Sequence, residues 1–358
     1  MKLTLPLSSV RALAIVAVSS RFLMGIFLDM PWLYNAAWLS ALGATLLCAP
    51  LGLLIDRFAR ANDARSALEA LEAHSGRLLT RCVSMLFCLI CAYETAVTAR
   101  VLSNTVRHVA LSESSALSLL LPLLLAAMLA ACLNGQAVGS AARVWLKFVP
   151  VLLLIVVLIQ AKSYRLQWLF PLLGPGLETL ADGAVGGAGW LSLFALLWLC
   201  AQRDEGAPSR SGALLPMLAT GAACALLLAL LATMTPPSVR TDLTRTYQLD
   251  KLLSNGRASL VSQLPLILLW YNGLIFGTTT GVFLSAKFLQ TALPRLDGRL
   301  AVLLCGSMAF AAAMLALAEQ SAAVAASRWL FVAVATPTLV LLLPPLWKGG
   351  KTACAPAK

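Results

Sequence analysis

The chain has 358 residues, of which 60% are hydrophobic and only 12% charged, with a mean hydropathy of +0.85. So few polar side chains cannot cover a soluble domain of this length, so the composition excludes an ordinary soluble enzyme and points to the bilayer. The formal net charge of +12 does not mark a nucleic-acid binder, because the basic residues gather in short segments between apolar runs, as the positive-inside bias requires of a membrane protein.

Stretches of about twenty apolar residues predict ten spans, near residues 10–30, 36–55, 82–104, 115–133, 143–161, 184–202, 212–234, 259–285, 300–318 and 326–347. The segments between them are short, so the expectation is an all-α polytopic membrane protein forming one membrane domain over 1–358. Arg57, Arg60, Arg65, Arg77 and Arg81 fall in one loop, Lys287, Arg295 and Arg299 in another, and Lys348, Lys351 and Lys358 at the end. This places both termini on the cytoplasmic side. The start of the sequence has no small-residue cleavage site after its apolar run, so no cleaved signal peptide is expected.

The first span reads poorly as a straight helix. "VSSRFLMGIFLDMP" combines Ser19, Ser20, Arg21 and Gly25 with a closing Asp29 and Pro31, which predicts unwinding around Ser20 to Gly25. After the second span, "RFARANDARSALEALEAHSGRLLTR" sets Leu68, Leu71, Leu78 and Leu79 among charges, as in an amphipathic helix lying on the inner surface and capped by Asn62 or Asp63. The third span holds Glu94, Thr98 and Arg100, and the fifth holds Lys147. A charge stranded in lipid costs about 2.5–3.5 kcal/mol even on the lenient scale, so such residues are functional candidates by default. Arg100 and Lys147 lie near span ends, where long stems snorkel. Arg21 and Glu94 lie deeper and are expected to face each other, either around a zwitterionic ligand or as a structural ion pair.

The sixth span opens with "DGAVGGAGW", preceded by "FPLLGPG". Glycines at about 0.8–1.0 kcal/mol each relative to Ala weaken a helix interior, so Gly186 and Gly187 predict a second discontinuous helix; close helix packing is the other reading. Spans one and six would then begin two inverted halves, about 8–161 and 166–347, with a binding site where the broken helices meet. The outer segment 235–258 is expected to contain a short helix over the mouth, and the eighth span contributes Tyr271, Asn272, Thr278 and Thr279. Those four either line the pocket or bond between helices. Cys88-Leu-Ile-Cys91 has no second pair, and His74 and His108 lie elsewhere, so no metal or other cofactor is expected. No nucleotide loop, paired catalytic carboxylates or placed nucleophile is present in the sequence, so an enzyme is not expected.

Several stretches carry a family resemblance. "YRLQWLFPLLGPGLETLADGAVGGAGWLSLFALLW", with Leu169, Pro171, Gly174 and Gly176, resembles the connection into the sixth span of the B subunits of spore nutrient-germinant receptors, the GerB-like family of the amino acid–polyamine–organocation superfamily. "MGIFLDMPWLYNAAWLS" is similar to that family's passage from first to second span, and Arg100 in "TARVLSNTVRHVAL" to an Arg near its third. Arg143 and Pro150 in "AARVWLKFVPVLLLIVVL" resemble the opening of its fifth span, and Arg257 the entry to its eighth. The chain departs from the pattern at Gly139, where the family usually has Glu, at Gly256 and Ser259, where it has acidic residues, and in lacking a late Pro in the sixth span.

The resemblance implies a LeuT-type five-plus-five inverted repeat in the inner membrane of an endospore. It also implies assembly with a receptor A subunit and a lipoprotein C subunit, a small nutrient ligand such as an amino acid, and no nucleic acid. Combined with the residues above, it makes Ser20, Arg21, Gly25, Glu94, Thr98, Gly186, Gly187, Tyr271, Asn272, Thr278 and Thr279 the expected ligand-binding set. The competing expectations are an amino acid permease coupled to protons or sodium, with Glu94 as the proton site, and a ligand-blind scaffold subunit.

Overall fold

The computed structural model describes residues 3–21, 33–61, 66–109, 114–159, 164–174, 176–202, 212, 214–234, 260–315, 326 and 329–340. Helices dominate, and their positions follow the apolar runs closely. They are α1 (Leu7–Leu13, continuing through a π-helical stretch Ala14–Val18 to Arg21), α2 (Ala37–Ala61), α3 (Ala67–Val109), α4 (Ala116–Cys132) and α5 (Gly135–Ile159). The second half contains α6 (Leu177–Cys200), α7 (Leu214–Met234), α8 (Leu260–Ala292) and α9 (Gly298–Leu315), then helical residues 329–340 around a π-helical stretch Phe331–Ala335.

Lipid cannot hydrogen-bond a backbone, so helices are the form these runs must take. Their faces are sorted by what they meet. On α4, Leu120, Leu124, Ala127, Met128 and Ala131 are buried, while Leu117, Leu121, Leu125, Leu129 and Leu133 recur every fourth residue on the exposed face. That exposed stripe is the one lipid covers. The spacing of four is the helix repeat.

Burial of apolar area does not by itself hold helices together in lipid, so close packing must. Glycines at the helix contacts supply it. α2 lies against α6 and α7: a Cβ on Gly43 would stand 2.9 Å from the Ala184 Cβ, and one on Gly52 would stand 3.3 Å from the Met217 methyl. Gly183 of α6 faces Ser40 and Leu33, and Gly221 of α7 faces Thr45. Gly139 of α5 faces Ser9 of α1, whose Cα would be 2.8 Å from an added Cβ. This contact explains the departure at Gly139: a glutamate has no room where α1 lies directly on α5. α3 packs most extensively on α8, with the Phe87 and Phe288 rings 5.4 Å apart.

The structure bears on three expectations about local structure. The sixth span is one continuous helix that begins at Leu177, seven residues before 184, and Gly186 and Gly187 lie buried in its interior instead of at a break. Gly183, in the same helix, is where α2 comes close, against Ser40. Among the described residues of the first span the irregularity is the π-helical stretch at Ala14–Val18; Ser20 and Arg21 are helical, and the rest of the expected unwinding, through Gly25, lies outside the described residues. The helix after Ala61 is capped by Ser66, whose hydroxyl accepts from the Glu69 N–H at 3.2 Å, whereas Asn62 and Asp63 lie outside the described residues. Gly76, at φ 78° and ψ 160°, then divides this surface turn from the span proper. Leu68 and Leu71 on the first side are buried, and Leu78 and Leu79 beyond it are exposed. The expected helix within 235–258 also lies outside the described residues.

The Pro-Gly connection before α6 docks onto the entrance of α2. Gly174 and Gly176 have φ of 50° and 110°, the left-handed region that glycine tolerates, and a Cβ on Gly174 would be 2.9 Å from the Ala36 Cβ. Asn35, buried, donates from Nδ2 to the carbonyls of Leu169 (2.6 Å) and Pro171 (2.5 Å). Here two chain reversals are pinned together by one amide. Gly139→Ala should lower the unfolding midpoint of the purified protein by an amount equivalent to about 1–3 kcal/mol, the usual range for overpacking. Val144→Ala on the exposed face of the same helix should change it little, and thermal unfolding in detergent measures both.

Candidate functional site

The deepest charges meet where α1 crosses α3 and α8. Arg21, at the described end of α1, and Glu94, in the middle of α3, are both 0% exposed, with Nη1 3.7 Å from the Glu94 Oε2. Nη2 donates to the Gly277 carbonyl of α8 at 3.4 Å. Among the described residues the Nε and Nη1 atoms of Arg21 have no hydrogen-bond partner. A guanidinium presents five N–H donors, so among the described residues this one is buried with much of its capacity unused.

Glycine makes the space that it occupies. Gly273, Gly277 and Gly281 recur at every fourth residue of α8 and present one face to α1. A Cβ on Gly273 would stand 2.7 Å from the Ser20 Cβ, one on Gly277 would stand 3.6 Å from the Arg21 Nε, and one on Gly281 would meet Thr95 and come within 2.8 Å of the Arg21 Nη2. Any larger residue at Gly281 would push on the guanidinium. This stripe was not among the expected site residues, although the small-residue spacing that produces it is visible in "NGLIFGTTTG".

The expected residues divide into two groups. Ser20, Arg21, Glu94 and Thr98 lie together or one turn apart, and all are buried. The Ser20 hydroxyl donates to the Ala17 carbonyl (2.9 Å) and Thr98 to the Glu94 carbonyl (2.8 Å). Thr278 and Thr279 are buried on α8, and the Thr278 hydroxyl donates to the Leu274 carbonyl of its own helix (2.8 Å). Tyr271 and Asn272 directly precede Gly273 and are half-buried; the Asn272 amide donates to the Leu268 carbonyl (2.8 Å). Gly186 and Gly187 are buried inside α6, with no helix end beside them. The polar atoms that the structure gathers around one point are thus those of Arg21 and Glu94, framed by Thr95 and the α8 glycines. No group of three or more metal-binding side chains occurs among the described residues.

A bundle of apolar helices with a buried ion pair between its first, third and eighth helices is the architecture of a polytopic integral membrane protein, and its fold is of LeuT type. The solved structures that superpose on the chain agree. Two variants of the manganese transporter of Eremococcus coleocola match with TM-scores of 0.59 and 0.57 at 12% and 13% identity, each over 94% of this chain and 78% of the transporter. A third variant of that transporter matches at a TM-score of 0.50 and 13% identity, over 92% and 78%. At such identity the likeness is one of fold. No curated protein sequence matches the chain. The family of spore germination proteins known as spore permeases matches residues 12–196, and the chain belongs to that family.

The pair makes a direct prediction about stability. Removing one member of a buried ion pair strands the other, at roughly 3–5 kcal/mol, whereas replacing both with apolar residues is often neutral or stabilising. Arg21→Met alone should therefore lower the unfolding midpoint more than Arg21→Met combined with Glu94→Leu, a double-mutant cycle that thermal unfolding in nanodiscs can close.

Proposed function

We propose that the chain is the membrane subunit of a spore germinant receptor, which binds a small nutrient such as an amino acid beside Arg21 and Glu94 and passes the signal to partner subunits. The observation that carries this reading is the buried Arg21 guanidinium, held by one long hydrogen bond and an ion pair at 3.7 Å, with Nε and Nη1 unpartnered among the described residues. A ligand carboxylate would accept from one of those donors in a charge-assisted hydrogen bond. The ligand amine would then turn to Glu94, which trades one cationic partner for another. Ser20 and Thr98 border the same point, and this reading assigns Tyr271, Asn272, Thr278 and Thr279 of α8 and Gly186 and Gly187 of α6 to the ligand site as well, while Gly25 lies outside the described residues. Charge is conserved within the site when a zwitterion enters, so no bare ion has to remain in a low-dielectric interior.

Family membership supports the spore context, and with it residence in the inner membrane of the endospore, both termini cytoplasmic, beside an A subunit and a lipoprotein C subunit. The one-domain, two-repeat organisation over 8–161 and 166–347 draws support from packing. α1 touches α6, α2 touches α7, α3 touches α8 and α4 touches α9, so four of the five helices of the first half meet the helix five places later. That is the pairing an inverted repeat produces about its pseudo-two-fold axis.

The transporter fold favours a second reading, a proton-coupled permease in which the buried Glu94 carries the proton. Purified protein in nanodiscs should bind a labelled amino acid saturably, and Arg21→Ala should weaken that binding at least a hundredfold while Leu117→Ala on the lipid face leaves it unchanged. Proteoliposomes should show no uptake of the bound compound. Uptake driven by a proton gradient and abolished in Glu94→Gln would replace the sensor with the permease. A full panel of amino acids with no binding would remove both in favour of a ligand-blind scaffold.

A further inference from the structure

At the end of the bundle where α1 starts, residues 3–6 run extended and are gripped by three separate parts of the chain. The Leu3 N–H donates to the Gln290 Oε1 (3.0 Å) and its carbonyl accepts from the Lys287 Nζ (2.6 Å), both on the last turns of α8. The Thr4 N–H donates to the Asn134 Oδ1 (2.8 Å), and the Asn134 Nδ2 donates to the Thr4 Oγ1 (2.7 Å), in the tight turn between α4 and α5. Beyond the end of α6, the Gln202 N–H donates to the Leu5 carbonyl (2.8 Å) and the Gln202 carbonyl accepts from the Leu7 N–H (2.9 Å), a parallel bridge between Pro6 and Gln202.

The seat for this segment is shaped to receive it. Asn134 is held at φ 84°, which aims its amide at Thr4, and its Oδ1 also accepts from the Gly135 N–H at 2.8 Å. Gly135 lets the segment sink in, since a Cβ there would stand 2.5 Å from the Thr4 carbonyl oxygen, 2.8 Å from the Leu5 Cδ1 and 2.9 Å from the Phe283 Cζ. Leu3 and Leu5 are fully buried. One short extended piece thus closes the gap between the ends of α5, α6 and α8.

Its attachment to the rest of the molecule is also distinctive. α1 runs from this segment straight to Arg21, and the π-helical stretch Ala14–Val18 lies between them. Such a stretch holds one residue more than an α-helical turn, and π-bulges recur at functional sites. Converting it to α-helix would turn one end of α1 against the other by about one residue, about 100°. A change in how Arg21 is held therefore has a route to residues 3–6 along one covalent rod, and the grip at the far end combines the buried Leu3 and Leu5 side chains with polar contacts that water can replace.

We propose that residues 3–6 are a releasable strap that seals this end of the bundle, and that loosening Arg21 from Glu94 releases it through α1. The trigger rests on the ligand reading above, but the seal does not. A release would part α1 from the end of α6 and open a route between the ion pair and that membrane surface. It would also bare Gln202, Lys287, Gln290 and the Asn134 turn together.

Hydrogen–deuterium exchange of the full chain in nanodiscs tests both parts. The amides of Leu3, Thr4, Leu7 and Gln202 should exchange as one unit, at least tenfold faster than interior amides of α3 such as those at Ala96 and Val97. Within the strap Gln290 contacts Leu3, and outside it the Leu296 carbonyl at 3.4 Å; Gln290→Ala should nevertheless speed exchange at Gln202 as well, because the strap leaves as a piece. Glu94→Gln, distant from the strap, should speed exchange of the same four amides at least threefold and leave α4 unaffected. If Gln290→Ala changes Leu3 alone, or if the four amides are as protected as the α3 interior, residues 3–6 are a fixed anchor and the seal reading is overturned. If the unit opens together but ignores both Glu94→Gln and Arg21→Lys, the coupling through α1 is overturned. Nutrient binding without strap opening, or strap opening without any nutrient bound, separates this proposal from the ligand reading.

Discussion

A buried guanidinium is the constraint around which the centre of this protein is built. Arg21 cannot be left in hydrocarbon, so it needs a carboxylate, a backbone acceptor and space, and each comes from a different place. Glu94 on α3 supplies the charge, the Gly277 carbonyl on α8 supplies the acceptor, and Gly273, Gly277 and Gly281 supply the space. Moving any of the three helices outward would break an electrostatic contact in a medium that has nothing to replace it. Moving them inward is prevented by Ser20 and Thr95, which already lie against the glycine face. The crossing of α1, α3 and α8 is therefore fixed from both directions, and helices that carry no polar function can pack around it through glycine and leucine alone.

The same crossing is incomplete as an ion pair. At 3.7 Å, the closest approach of Arg21 and Glu94 exceeds the usual length of a charge-assisted hydrogen bond, about 2.7–2.9 Å. A pair selected purely for stability would be tighter, or would be apolar. A loose pair with spare donors is instead what a site needs if it must exchange one internal partner for one external partner without exposing a net charge. The surrounding hydroxyls take no part in satisfying it: Thr95, Thr98 and Thr278 each donate to a carbonyl of their own helix. They shape the walls and, among the described residues, leave the guanidinium to Glu94 and the Gly277 carbonyl.

Sequence alone disclosed most of the architecture, because apolar runs of membrane length cannot be much other than spans; α2, α4, α7 and α9 begin or end within a few residues of their expected limits. Arg21 and Glu94 were legible as a pair for the same reason, since two deep charges of opposite sign seldom remain apart in lipid. Glycine was the ambiguous letter. The cluster before Trp190 suggested a broken helix, yet Gly183 is where α2 comes close and the helix continues through Gly186 and Gly187. Composition cannot separate a glycine that weakens a helix from one that admits a neighbour, because the deciding partner lies far away in the chain. The stripe on α8 was legible by spacing but was hidden behind its more conspicuous threonines. Residues 3–6 gave no signal at all, for their role is carried by backbone groups, and a sequence does not show where a backbone N–H will donate.

That last point bears on how a transporter-like fold could act as a receptor. Alternating access needs a seal at one end that opens while the other closes, and a sensor needs only the linkage between site and seal, with no passage required. Here α1 carries the charged residue of the site at one end and enters the sealed segment at the other, with a π-helical stretch between. Free energy applied at Arg21 has few ways to dissipate along such a rod. α1 lies against α5 at Ser9 and Gly139, a contact with almost no slack, so it resists sideways displacement and favours rotation or sliding along its axis. A small ligand that rearranges one ion pair would then be read at the far membrane surface as a larger change in backbone exposure. An adjacent subunit could recognise that change without the ligand ever crossing the membrane.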